Sequence, residues 1–132
     1  MDFKEADLIV KYSHKISSLA KLTVQNNNIE QSLYEKYDVK RGLRDANGKG
    51  VLCGLTEISE VTAWKQENGQ RIPAEGVLCY RGYNVKDLVK NTVEENRFGF
   101  EETAYLLLFG KLPNQTELND FSEIMSEFRS LP

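Results

Sequence analysis

The chain has 132 residues, enough for one small domain and hardly two. Leu, Ile, Val and Phe number 36, so a hydrophobic core is within reach without disulfide staples. Seventeen basic against twenty acidic side chains give a net charge of −3, which argues against a general nucleic-acid binder, and no apolar run approaches a membrane span.

Charge is uneven along the chain. Residues 1–53 carry 9 basic and 7 acidic groups, and residues 54–132 carry 8 and 13. The start, Met1-Asp2-Phe3-Lys4, lacks the apolar stretch of a signal peptide. A single histidine, His14, excludes a two-histidine metal or catalytic site within one chain. Cys53 and Cys79 are 26 residues apart with no CxxC spacing. They read as two reduced thiols in half-buried strands of a cytoplasmic protein, with one disulfide as the alternative.

The first predicted element is a helix over residues 4–25. Ile9, Tyr12, Ile16, Leu19 and Leu22 form one apolar stripe at helical spacing. Asn26-Asn27-Asn28 ends it, and a short helix follows from Glu30 to Tyr37. Residues 41–54 are glycine-rich and read as loop, with a short strand at Val51-Leu52-Cys53. From Thr56 the pattern is β-like up to Asn68-Gly69, the commonest type I′ hairpin dipeptide. Arg71-Ile72 begins a return strand that Pro73 confines to an edge, and Val77–Tyr80 reads as a further short strand after Gly76.

Helices then take over. Asn84 caps one, with Val85, Leu88 and Val89 on one face. A second starts near Phe100, with Glu101 and Glu102 in its first turn and an almost wholly apolar second half, Ala104 to Phe109. Gly110 and Pro113 end it. Asn114 and Glu117 make a capping box for the last helix, about residues 116–129, whose stripe is Leu118, Phe121, Met125 and Phe128. The fold class expected is therefore mainly α: N-terminal helices, a small β-hairpin element, then three helices.

Few residues carry chemistry. His14 sits between Lys11 and Lys15 and reads as a surface histidine. Glu94-Glu95 and Glu101-Glu102 are adjacent pairs that do not face one another on a helix, so they read as solvated. Neither GxGxxG nor GxxxxGK[ST] occurs. The cluster Lys36, Lys40, Arg41, Arg44, Lys49 has glycines beside its arginines, which suits close approach to a phosphate; a solvated loop is the plainer reading.

Residues 41–121 carry a family resemblance. In order they hold Arg41-Gly42-Leu43-Arg44, Thr56-Glu57-Ile58-Ser59, the "L-x-YRGY" segment from Leu78 to Tyr83, and "FEE-x-AYLLL-x-G-x-LP" from Phe100 to Pro113. Glu117-Leu118 and Phe121 follow. The series resembles the N-terminal part of citrate synthases, and residues 1–40 match only in being helical. The resemblance implies a domain division into a helical segment, 1–40, and the beginning of the large helical domain, 41–132, truncated at Pro132. It implies a transferase that condenses acetyl-CoA with oxaloacetate to citrate and CoA in the tricarboxylic acid cycle. A 2-methylcitrate synthase using propionyl-CoA is the close rival.

In that family the catalytic aspartate and histidines lie downstream, so none is assigned here. The resemblance thus implies an N-terminal fragment, inactive alone, whose partners are the missing C-terminal part and a second copy in a cytoplasmic homodimer. No cofactor and no metal are expected, acetyl-CoA being a substrate. Arg41 is the one implied site residue, as a CoA-phosphate contact, with Arg44 a weaker candidate. Arg81 reads as structural, salt-bridging or capping a buried turn that Gly82 permits. The reading from another class is a stand-alone, non-catalytic helical module that binds partners through the apolar stripes.

Overall fold

The computed structural model describes residues 3–40, 42–44 and 50–129. Helix α1 spans Phe3–Asn26 and α2 Gln31–Lys36. Strands β1 (Ser59–Glu67), β2 (Gln70–Tyr80) and β3 (Tyr83–Asn84) form one antiparallel sheet in sequence order. Helices α3 (Val85–Glu94), α4 (Phe100–Phe109) and α5 (Gln115–Glu127) complete the described fold. The architecture is mainly helical, with the small β element between the N-terminal helices and the last three.

The hairpin forms as its dipeptide dictates. Asn68 and Gly69 have φ of 50° and 77°, the left-handed pair a type I′ turn requires. The return strand differs from expectation, because β2 is continuous through Pro73. Thr62 faces Val77 while Trp64 faces Pro73, so three residues of β2 bulge opposite Ala63. Beyond β1 at Pro73, β2 has no second neighbour, since β3 meets only Cys79 and Tyr80. An absent proline N–H costs nothing on that open side. No strand forms at residues 51–53. A single bridge, Arg44 to Gly50, stands near that place, and the Leu52 carbonyl accepts from the Lys40 N–H at 2.7 Å. Both cysteines are free thiols; Cys53 is exposed and outside any strand, and Cys79 is half-buried in β2.

The helices pack around three aromatic rings. Tyr105 and Phe109 lie one turn apart on α4, and Phe121 comes from α5. Their centroids are 4.6, 5.5 and 5.7 Å apart in edge-to-face geometry, the arrangement ring quadrupoles favour. Leu19 and Leu22 of α1 close this cluster together with Ala104 and Met125. Tyr12 is buried at the other end of α1, and its hydroxyl donates to Glu123 at 2.9 Å. Cover over α4 is partial. Leu106 is fully buried, yet Leu108 and Phe100 remain more than half exposed.

The start of α5 satisfies its own backbone. The Asn114 side chain accepts from the Glu117 N–H at 3.0 Å, and the Glu117 carboxylate accepts from the Asn114 N–H at 2.9 Å. Lys111 adds an ion pair to Glu117 at 2.6 Å. The ammonium, then the Asn114 N–H, hold the Glu117 carboxyl below its ordinary range. A carboxyl depressed on folding stabilises above its unfolded value and loses that contribution as pH falls through the folded one. The apparent melting temperature should therefore fall more steeply between about pH 5 and about pH 3 in the native chain than in Glu117→Gln. Parallel pH profiles for the two proteins would contradict this role for Glu117.

Candidate functional site

The basic cluster lies where α2 ends. Lys36 closes α2 and stands 5.3 Å from the Tyr37 ring centroid. Asp38 takes a left-handed φ of 50° and turns the chain, with its carboxylate 2.5 Å from Lys40 Nζ. The N–H of Lys40 donates to Leu52 and the N–H of Val51 donates to Leu43 at 3.3 Å, so the two ends of the glycine-rich loop are held together. Lys36, Lys40 and Arg44 are all exposed at its base. Arg41, the residue the family resemblance singles out, lies outside the described residues, as does Lys49. Among the described residues, Lys36 and Lys40 thus stand exposed where α2 ends, Lys40 with Asp38 beside it, and Arg44 is exposed beyond Gly42.

The other sequence candidates separate from it. His14 is exposed on α1. The glutamate pairs are taken up individually: Glu94 by Lys90 at 3.8 Å, Glu101 by Arg129 at 3.5 Å, Glu102 by Arg97 at 2.5 Å, and Glu95 also by Arg97. They are ion-paired surface groups, not an acid–base dyad. Arg97 was not singled out by sequence. The two carboxylates raise its guanidinium pKa still further, so it is a fixed cation at the entry to α4.

Arg81 has the densest set of partners. It sits in the β2–β3 turn with φ of 49°, followed by Gly82 at 85°. Its backbone N–H donates to the Ile58 carbonyl at 2.9 Å. Its side chain makes no salt bridge among the described residues and instead caps two helix ends. Nε and Nη2 donate to the Leu107 carbonyl at 3.3 and 3.0 Å, Nη1 donates to the Asn26 carbonyl at 3.1 Å, and Nη2 also donates to Asn27 Oδ1. Asn26 Nδ2 in turn donates to Phe109 O at 2.6 Å, and Asn27 Nδ2 to Leu108 O at 3.1 Å. With the Gly110 N–H on Leu106 O, all four terminal carbonyls of α4 have donors. Gly110 has φ of 77°, and a Cβ there would stand 2.8 Å from Asn26 Cβ, so the close approach requires glycine. The run of three asparagines was the sequence signal for this cap, read only as a helix stop.

Among the described residues no helix is long and apolar enough to cross a membrane. Among the described residues these side chains assemble no nucleophile with an acid–base partner. A family model described as "Citrate synthase, C-terminal domain" matches residues 42–132. A 2-methylcitrate synthase of Shewanella oneidensis is 44% identical over 95 residues, 72% of this chain and 21% of that protein. 2-Methylcitrate synthase 1 of Corynebacterium glutamicum is 38% identical over 93 residues, 70% of this chain and 19% of that protein. A citrate synthase of Saccharolobus solfataricus is 47% identical over 58 residues, 44% of this chain and 14% of that protein. The chain spans about a fifth or less of the length of these curated relatives. No solved structure matches it.

These matches correct the sequence expectation in one respect. The "L-x-YRGY" and "FEE-x-AYLLL-x-G-x-LP" segments, assigned above to an N-terminal part, fall within residues 42–132, which match the C-terminal-domain model. That match covers most of the chain. It overturns the reading of an N-terminal part without the catalytic portion, and with it the expected inactivity and the expected missing C-terminal partner. A count of one histidine excludes a two-histidine site within the chain; it does not show the catalytic region to be absent. By the match over residues 42–132, the chain belongs to the citrate synthase family.

Proposed function

We propose that the polypeptide containing this sequence condenses a short acyl-CoA with oxaloacetate, and that propionyl-CoA is the preferred acyl donor, giving 2-methylcitrate. The observation that carries this reading is the extent of similarity. The relatives named 2-methylcitrate synthase align over 93 and 95 residues, against 58 for the citrate synthase. The second reading, acetyl-CoA to citrate, is favoured by the higher identity of that shorter match. In either case a carbon beside the thioester loses a proton, attacks the oxaloacetate ketone, and water then cleaves the thioester to release CoA.

Arg41 belongs to this proposal as a contact to a CoA phosphate. Its support is the tyrosine-bearing end of α2, Gly42 directly after it, and Lys36, Lys40 and Arg44 close by in the sequence. A guanidinium pairs two phosphate oxygens at once, which an ammonium cannot. The division into residues 1–40 and 41–132 is part of the same reading, supported by a family match that begins at Gly42. So are a cytoplasmic location and a homodimer. For the homodimer, the support is that Val93, Phe98 and Phe100 stand 71%, 95% and 67% exposed, large apolar side chains of the kind interfaces cover.

Thiol release with oxaloacetate, measured for the polypeptide translated from the native reading frame that contains this sequence, tests the reaction. A higher kcat/KM for propionyl-CoA than for acetyl-CoA is expected. The opposite order overturns the 2-methylcitrate reading in favour of the second, and no release from either thioester contradicts both. In the same assay Arg41→Ala should raise KM for the acyl-CoA roughly three- to tenfold with a smaller change for oxaloacetate. An unchanged acyl-CoA KM removes Arg41 from the site.

A further inference from the structure

The tip of the β1–β2 hairpin is held by nothing but the hairpin itself. Residues 67–71 are all exposed. Among the described residues, positions 65–72 make no hydrogen bond or ion pair outside the two strands and their turn. What fixes the tip is the strand pairing, the left-handed Asn68-Gly69 turn, and Arg71 stacked 4.1 Å from the Trp64 ring centroid. An end of this kind opens locally at a free energy well below that of global unfolding.

Asn68 differs from the other asparagines in what surrounds its amide. Asn26, Asn27, Asn84, Asn114 and Asn119 are engaged in side-chain hydrogen bonds. The Asn68 side chain makes none among the described residues, and the Gly69 N–H donates to nothing there. Asn28, Asn91 and Asn96 are likewise exposed with unbonded side chains, and Asn96 shares the left-handed backbone, with φ of 49°. Each of those three precedes a residue with a Cβ, whereas Asn68 precedes glycine. A Cβ crowds the approach of a residue's nitrogen to the side chain before it, and glycine removes that obstacle. The other Asn-Gly step, Asn47-Gly48, lies outside the described residues.

We propose that Asn68 is a site of spontaneous covalent modification by solvent water. When the turn opens, the Gly69 nitrogen attacks Asn68 Cγ. The new C–N bond closes a five-membered succinimide, the bond from Cγ to Nδ2 breaks, and the Gly69 N–H proton leaves with Nδ2 as ammonia. Water then adds to one of the two ring carbonyls and breaks its bond to the Gly69 nitrogen, which regains a proton. Opening at Cγ leaves aspartate; opening at the main-chain carbonyl leaves isoaspartate. Nothing is oxidised or reduced, and either product adds a negative charge beside Glu67. The two products part at the hairpin. Asp-Gly supports the same type I′ turn as Asn-Gly. Isoaspartate routes the main chain through Cβ and Cγ, one carbon longer, so the two-residue turn cannot close and the Glu67–Gln70 pairing is lost. Arg71 then leaves the Trp64 ring. This chemistry does not rest on the condensation reaction.

The test holds the native protein at mildly alkaline pH in water carrying a heavy oxygen isotope, then cleaves it after Lys and Arg for mass spectrometry. Residues 66–71 form one fragment and residues 45–49 another, so the two Asn-Gly steps are read separately. Label should enter position 68 roughly tenfold or more faster than Asn28, Asn91 or Asn96, with aspartate and isoaspartate both formed. Trp64 is the one tryptophan in the chain, so its emission reports on the hairpin. That emission should shift as isoaspartate accumulates and stay native in Asn68→Asp, which adds the charge without the longer main chain. Label entry at position 68 no faster than at those three asparagines overturns the assignment, as does conversion to aspartate alone. Emission that stays native while isoaspartate accumulates overturns the predicted loss of the turn.

Discussion

The end of α4 sets the terms for the rest of the structure. A helix terminus placed against other elements must find donors for four carbonyls, or lose the free energy of each unsatisfied group. Here the donors come from three separate places in the chain: Gly110, the Asn26–Asn27 pair closing α1, and Arg81 in the β2–β3 turn. Among the described residues, every hydrogen bond or ion pair from residues 59–94 to α1, α4 or α5 is made by Arg81. One guanidinium therefore registers the β element against two helix ends. Its positive charge also opposes the negative poles of both helix dipoles.

The remaining elements follow from that junction. With the C-termini of α1 and α4 held together, Leu19 and Leu22 meet the Tyr105–Phe109–Phe121 cluster, and α5 closes over it. The resulting core is small for 132 residues, and the hairpin is exposed along most of both strands. Lys36, Lys40 and Arg44 are exposed after the core has formed.

Local signals in the sequence translated directly. The α1 helix, the Asn68-Gly69 turn, the Asn84 cap and the Asn114–Glu117 box each depend on contacts within a few residues, and each is present, whereas of the α1 stripe Tyr12, Leu19 and Leu22 pack inward and Ile9 and Ile16 stand exposed. What was not legible depends on distant partners. Pro73 read as confining its strand to an edge, and it does so, since β3 stops short of it; what did not show was that β2 runs unbroken from Gln70 to Tyr80. Val51–Cys53 has strand-like residues but no partner strand, so only the nearby bridge forms. Asn26 and Asn27 read as a stop signal, although their amides act on carbonyls more than eighty residues away. Arg81 was recognised as structural, but its choice between carboxylate and carbonyl acceptors was fixed only by where α1 and α4 end. The candidate site was legible as a charge cluster alone, and the N-terminal assignment of its motifs was corrected by the family match.

The most direct test is a double-mutant cycle on Arg81 and Asn27, with stability measured by denaturant unfolding of native, Arg81→Met, Asn27→Ala and the double variant. Arg81 and Asn27 bond to each other and to adjacent carbonyls of one helix end, so they should couple. We expect an interaction energy of about 1 kcal/mol or more, with the double variant losing less than the two single losses added together. Strict additivity of the two losses would contradict a shared cap on α4.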